Sequence, residues 1–317
     1  MMWAGSNGDP PRHWRYTLAV TAGCATAAIC WAAYRLPPPS TSDLDPPLTA
    51  ARALLAGRDP YATVAEAQPY PLFYPLPAVI LVAPLARLPT EWARVFWAGI
   101  SGFAFALAAI RHGRGLPVAL LSASFLNAII LNQWSPLLTA AAVFPLLGAL
   151  AIAKPSIGAA IVVAYPSRRA VIGAAVFLIL SLIVLPRWPT EWIAALRRTN
   201  HVAPVLRPGG AFLLLALLRW RKPEARLLAG LACVPQTIGL YETLPLFLIP
   251  RTRKEAYLLA GLSYVAAFGS AMAFPRTAGM SLEQNLAARW PLVFALLYLP
   301  ALVMVLWKAP SPPPHSR

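Results

Sequence analysis

The chain has 317 residues, of which 58% are hydrophobic and only 12% charged, with a net charge of +16 and a mean hydropathy of +0.60. Soluble domains carry about 25% charged residues, so this balance excludes an ordinary soluble domain and indicates an integral membrane protein. The cations fall in short clusters between apolar runs, which argues for an orientation signal and against nucleic acid as a partner.

In lipid only helices or closed barrels satisfy every backbone group, and the alternating strands of a barrel are absent. The expected fold is therefore all-α and polytopic, with roughly nine to eleven membrane helices at about 20 residues each. Residues 1–310 read as one integral membrane domain and 311–317 as a disordered proline-rich tail. With 34 prolines in the chain, broken and kinked helices are expected.

Residues 16–35 form the first span, read as uncleaved with a cytoplasmic N-terminus. Residues 36–75 follow, and hold Asp43, Asp45, Asp59 and Glu66 out of eleven acidic residues in the chain. Within them Leu48, Ala51, Leu54 and Leu55 fall at helical spacing, and Gly57 suits the end of a short interfacial helix. Residues 71–88 are apolar but interrupted by Pro75, Pro77 and Pro84.

Residues 91–110 are a clearer span, closed by basic residues at 111–114. The apolar runs 117–131 and 137–153 flank Asn132-Gln133-Trp134-Ser135-Pro136, and Lys154-Pro155 interrupts the next. A span over 170–186 leads to a wet segment, 187–208, whose Trp188 and Trp192 suit an interface belt. Residues 209–218, 227–249, 256–274 and 291–306 are the remaining apolar runs, and 227–249 is broken around Gln236 and Glu242. The charge pattern places 111–114, 168–169, 219–226, 251–254 and both termini inside, and 36–70, 187–208 and 275–289 outside, as in a multi-pass protein of the plasma or inner membrane.

Four groups of residues could carry chemistry. Asp43 and Asp45 come first. Asp45 precedes two prolines and reads either as a helix N-cap or as a catalytic helper, while Asp43, not needed for that cap, is freer to act as the general base. Together the two could instead hold a divalent metal, since hard cations take oxygen ligands. Tyr61, Tyr70, Phe73 and Tyr74 form either an interface belt or a wall for a sugar or isoprenoid.

The third group is polar residues in apolar surroundings: Asn132, Gln133, Lys154, Gln236, Tyr241 and Glu242, functional by default at membrane depth. Lys154 either binds a lipid phosphate or snorkels to the interface. The fourth group is Arg197, Arg198, His201 and Arg207, outer cations that could pair a carrier phosphate, although a lone histidine is more often simply a surface residue. Cys24, Cys30 and Cys233 read as small packing residues. No Ser/His/Asp set, zinc site or glycine-rich phosphate loop is present, which argues against a nucleotide-sugar or ATP-driven enzyme.

The stretch DLDPPLTAARALLAGRDPY, with YPLPAVILVAPLARLP, the Asn132–Pro136 junction and Ala153-Lys154-Pro155, resembles glycosyltransferase family 87, polyprenyl-phosphate-sugar-dependent mannosyltransferases. The likeness runs over most of residues 36 to 170 and is looser beyond. It implies a GT-C-like helical bundle whose extracytoplasmic first loop carries a catalytic aspartate, and Asp43 matches that position best. It implies transfer of a mannose-like sugar from a polyprenyl phosphate to a lipid or glycan acceptor. A lipid or small-solute transporter is the alternative from another class, and a scaffold subunit the third.

Overall fold

The computed structural model describes residues 12–36, 42–68, 71–199, 201–275 and 281–307. Apart from one isolated bridge between Val202 and Gln236, the described residues are helical or irregular. Among the described residues four helices are long and apolar enough to cross a membrane: α1 (Arg12–Arg35), α5 (Thr90–His112), α12 (Arg253–Ala273) and α13 (Trp290–Trp307). A fifth is reached if α9 (Arg168–Val184) and α10 (Trp188–Leu196), bent by 102°, count as one span.

The nine to eleven crossings expected from hydropathy are not present as continuous helices, and proline placement explains the difference. The shorter helices α2 (Asp45–Leu55), α3 (Pro60–Ala67), α4 (Leu76–Val82), α7 (Ser135–Ala141), α8 (Pro155–Ala164) and α11 (Pro223–Cys233) each have proline in the first turn. Proline there fits helix geometry, whereas in mid-helix it breaks the hydrogen-bond ladder. The 3-10 segments Ala83–Arg87, Leu116–Leu121 and Pro145–Ile152 likewise begin with proline near their start. The run 117–131 thus divides into Leu116–Leu121 and α6 (Ala123–Ile130). The run 209–218 is a 3-10 segment, Gly210–Arg219, and 227–249 divides into α11 and Leu240–Leu248.

Helices α1 and α5 form the tightest pair and run antiparallel. Arg35 at the end of α1 bonds Glu91 at the start of α5 at 2.7 Å, while Gly23 meets Gly99 midway. Small residues let membrane helices approach closely. A Cβ at Gly102 would lie 2.1 Å from Thr26 Oγ1, the hydroxyl that donates to the Ala98 carbonyl at 2.9 Å.

Polar contacts tie the connecting segments to one another and to the helix ends beside them. At one end Asp59 pairs with Arg187, Trp192 Nε1 donates to the Phe73 carbonyl at 2.9 Å, and Trp290 Nε1 donates to the Pro208 carbonyl at 2.9 Å. At the far ends of α5 and α8, Arg226 donates to the carbonyls of Val163 and Ala164, and Gly115 packs on Pro250 and Thr252. The interface tryptophans are less exposed than a lipid belt implies: Trp188 is buried and Trp192 half-buried. Of the three cysteines, only Cys30 packs inside; Cys24 and Cys233 are exposed. The tail over 311–317 lies outside the described residues.

Candidate functional site

Helix α2 runs over Asp45–Leu55 and ends in a left-handed turn at Gly57, φ 69°. Its start differs from the reading of Asp45 as a cap. Asp45 is the first helical residue and its carboxylate bonds no helix N–H. The reason is a stronger partner: Arg94, one turn into α5, grips it with two donors, Nε to Oδ1 at 2.8 Å and Nη2 to Oδ2. A bidentate guanidinium–carboxylate pair is among the stronger polar contacts, and Arg94 also lies 4.6 Å from the Tyr34 ring centre. Ser42 handles the turn, its Oγ accepting from the Leu44 N–H and donating to Asn132 Oδ1.

Asp43 has different company. Its N–H donates to the Leu131 carbonyl at 3.0 Å, which fixes the loop against the 131–133 turn. That turn requires Asn132 at φ 54°, a left-handed conformation that asparagine tolerates better than most residues. It places Gln133 so that its Nε2 donates to Asp43 Oδ2. Gln133 Oε1 in turn accepts from Lys154 Nζ at 2.6 Å. Both ends of one amide therefore join a carboxylate to an ammonium, across sequence separations of 90 and 21.

Lys154 is fixed by aromatic faces as well. Its Nζ lies 4.5 Å from the Tyr241 ring centre and 5.9 Å from that of Tyr74, the geometry of a cation–π contact. Burial pushes the Asp43 carboxyl above its ordinary range; Lys154 and the Gln133 hydrogen bond pull the other way without cancelling it. Asp43, Tyr74 and Lys154 all remain half-buried, whereas Gln133 is fully enclosed. The side chains able to meet a reactant are thus supported from behind by one that cannot.

Past Lys154 the chain of contacts continues. The Tyr241 hydroxyl shares a hydrogen bond of 2.8 Å with Thr237 Oγ1, which also bonds Glu242 Oε2 at 3.0 Å. The 236–242 turn wraps the Glu242 carboxylate, with the N–H groups of Thr237 and Gly239 donating at 3.2 and 3.1 Å. Successive N–H groups in such a turn form an anion cradle. Glu242 therefore has a structural use of its own.

The remaining residues singled out from sequence separate. Gln236 is enclosed, its amide bonded to the Leu231 carbonyl at 2.6 Å and to the Tyr298 hydroxyl at 2.7 Å. Tyr61 is buried on α3 and donates to the Tyr74 carbonyl at 3.2 Å, supporting that strand of chain rather than facing Asp43. Arg197 and Arg198 are exposed just past α10, and His201 sets its ring against Phe73 at 6.1 Å. Arg207 is half-buried, with an enclosed Nε that makes no hydrogen bond. Tyr70 lies outside the described residues.

A divalent metal between Asp43 and Asp45 does not fit this arrangement. Asp45 presents both oxygens to Arg94, and the described residues hold no cluster of three or more His, Cys, Asp or Glu suited to a metal. Three contributors escaped the sequence reading: Arg94, Thr237 and Tyr298. Arg94 had a usable signal, because a cation inside an otherwise apolar span asks for a partner. Comparison with known protein families, curated proteins and solved structures yields no match.

Proposed function

We propose that this chain is a membrane glycosyltransferase that moves a mannose-like sugar from a polyprenyl-phosphate donor to a lipid or glycan acceptor, with Asp43 as general base. The observation that carries this reading is the difference in engagement between the two aspartates. Both are half-buried, but Asp45 is held by two donors of Arg94, while the Asp43 side chain is bonded to the neutral amide of Gln133 and backed by Lys154. A carboxylate whose proton affinity is raised by burial is suited to take a proton from a sugar or lipid hydroxyl as that oxygen attacks. The attacking oxygen forms the bond to the anomeric carbon, the donor's phosphate leaves with the bonding pair, and Asp43 keeps the proton.

Lys154 holds Gln133, and Gln133 orients Asp43. The faces of Tyr74 and Tyr241 beside Lys154 offer the flat apolar walls that sugars pack on. The ordered likeness of residues 36–170 to glycosyltransferase family 87 supports the same reaction, and a GT-C-like bundle is the architecture proposed with it. The shorter helices α4, α6–α8 and α11 would pair across breaks to complete the bundle's further crossings.

The test is transfer of labelled sugar from polyprenyl phosphate to a membrane lipid extract by the purified chain, with and without chelator. Wild-type protein should form product in both conditions. Asp43→Asn should lose about 100-fold or more of that rate, the contribution typical of a general base, at an unchanged melting temperature. The transporter alternative has one supporting feature, the buried Glu242 at the break between α11 and Leu240–Leu248. Uptake into proteoliposomes without covalent product would favour it.

A further inference from the structure

The end of the molecule away from Asp43 carries a basic turn that the proposed chemistry does not use. The 3-10 segment Gly210–Arg219 leaves Phe212, Leu215 and Leu218 exposed, at 63%, 43% and 76%. Trp220 follows, also exposed, and then Arg221 and Lys222 before α11 begins. Leu218, Arg219, Trp220, Arg221 and Lys222 line a shallow recess of about 280 Å³.

Arg226 builds this recess. Its Nη1 donates to the carbonyls of both Trp220 and Arg221 at 3.1 Å, while its Nε and Nη2 reach back to Val163 and Ala164. Its donors are occupied in shaping the turn. The Lys222 N–H closes the turn on the Arg219 carbonyl at 2.8 Å. The side chains of Arg221 and Lys222 do no such framework work. Arg221 lies 5.9 Å from the centre of the Trp220 ring, and Lys222 Nζ is enclosed among protein atoms with no hydrogen-bond partner. Its charge lies just beneath the recess and adds to that of the exposed Arg221 in favouring an anion there.

We infer that the turn Leu218–Lys222 is a headgroup site for an anionic phospholipid. The phosphate sits against the exposed Arg221 with the Lys222 charge behind it, Trp220 lies at the headgroup level, and the acyl chains run along Phe212, Leu215 and Leu218. A basic turn continuous with an exposed apolar face fits an amphiphile better than a free anion. Indole rings prefer the headgroup depth, and juxtamembrane cations favour anionic lipid.

The test uses the full chain in phosphatidylcholine nanodiscs, with bound lipid read by native mass spectrometry while phosphatidylglycerol is titrated in. Wild-type protein should retain phosphatidylglycerol in preference to phosphatidylcholine. Each neutralised cation should weaken this by about fivefold, so Arg221→Gln/Lys222→Gln should lose about 25-fold. The control Arg253→Gln/Lys254→Gln removes the same charge at the start of α12 and should lose less than about threefold, as expected for screened charges away from the site. Lys222→Met alone serves as a milder variant, with melting temperature confirming the fold in each case. Equal losses in both double variants, no preference over phosphatidylcholine, or full displacement of the lipid by millimolar inorganic phosphate would each overturn the site. None of these readouts involves sugar transfer.

Discussion

Asp43 and Asp45 are two residues apart in one loop, yet they belong to different regions of the molecule. Asp45 faces the rim, where Arg94 closes on it much as Arg187 closes on Asp59. Asp43 faces inward, where Gln133, Lys154, Tyr241, Thr237 and Glu242 form a connected polar path through apolar packing. The rim pairs tie elements together: α2 to α5, and α3 to α10. The inward path joins the 42–45 loop to the 131–133 turn and to the start of α8, and Asp43 and Lys154 on it are half-buried. An acidic residue's use therefore depends on which cation the fold gives it and on how completely that cation is engaged.

The sharpest way to break the contrast is to remove the rim cation. Arg94→Met leaves Asp45 partly buried without its partner, and stability should fall by about 3 kcal/mol, the order expected when one member of a buried pair is removed. Thermal unfolding in detergent measures it. An effect near zero would show that the pair is not what holds α2 to α5.

Lys154→Met probes the inward region. Lys154 lowers the proton affinity that burial raises in Asp43, so removing it should push the Asp43 carboxyl further up. A base must be ionised to act, so the acid limb of the pH–rate profile should move to higher pH while the alkaline side of the profile changes less. An unmoved limb would separate Lys154 from Asp43.

The smaller effects fall at the second rim pair. Asp59 Oδ1 accepts from the N–H groups of Tyr61 and Ala62 at 2.8 and 3.0 Å, capping α3. Asp59→Ala should cost about 1 kcal/mol. Partial burial raises the Asp59 carboxyl, but the two N–H bonds and Arg187 outweigh it and hold the group below the ordinary range. Its contribution is therefore complete above the unfolded pKa of about 4, and is lost as pH falls through the lower folded value. The gap between wild type and Asp59→Ala should close in acid. Arg187→Gln should do less, and its effect should shrink with added salt, because the guanidinium is exposed and screened.

Much of this was legible in local sequence. The long helices follow from uninterrupted apolar runs, and the end of α2 follows from Gly57. The shorter elements were harder to read because hydropathy averages over prolines. The runs 117–131 and 137–153 look like spans, but their prolines begin new turns at Pro117, Pro136 and Pro145.

At the site, residue type pointed to Asp43, Gln133 and Lys154 separately. Nothing local says that Gln133 stands between the other two, because that depends on the Asn132 turn and on a contact 90 residues apart. Asp45 was misread for a related reason. Its sequence neighbours, Pro46 and Pro47, mark a helix start, and the partner that redirects its carboxylate lies 49 residues away on α5.

The central claim is that the two aspartates divide chemistry from structure, and paired measurements on Asp43→Asn and Asp45→Asn test it most directly. Each variant should be assayed for sugar transfer per folded molecule and for melting temperature in the same preparation. Asp43→Asn should lose transfer and keep its melting temperature, while Asp45→Asn should lower the melting temperature and keep transfer per folded molecule. Full transfer by Asp43→Asn, or loss of transfer by Asp45→Asn at an unchanged melting temperature, would contradict it.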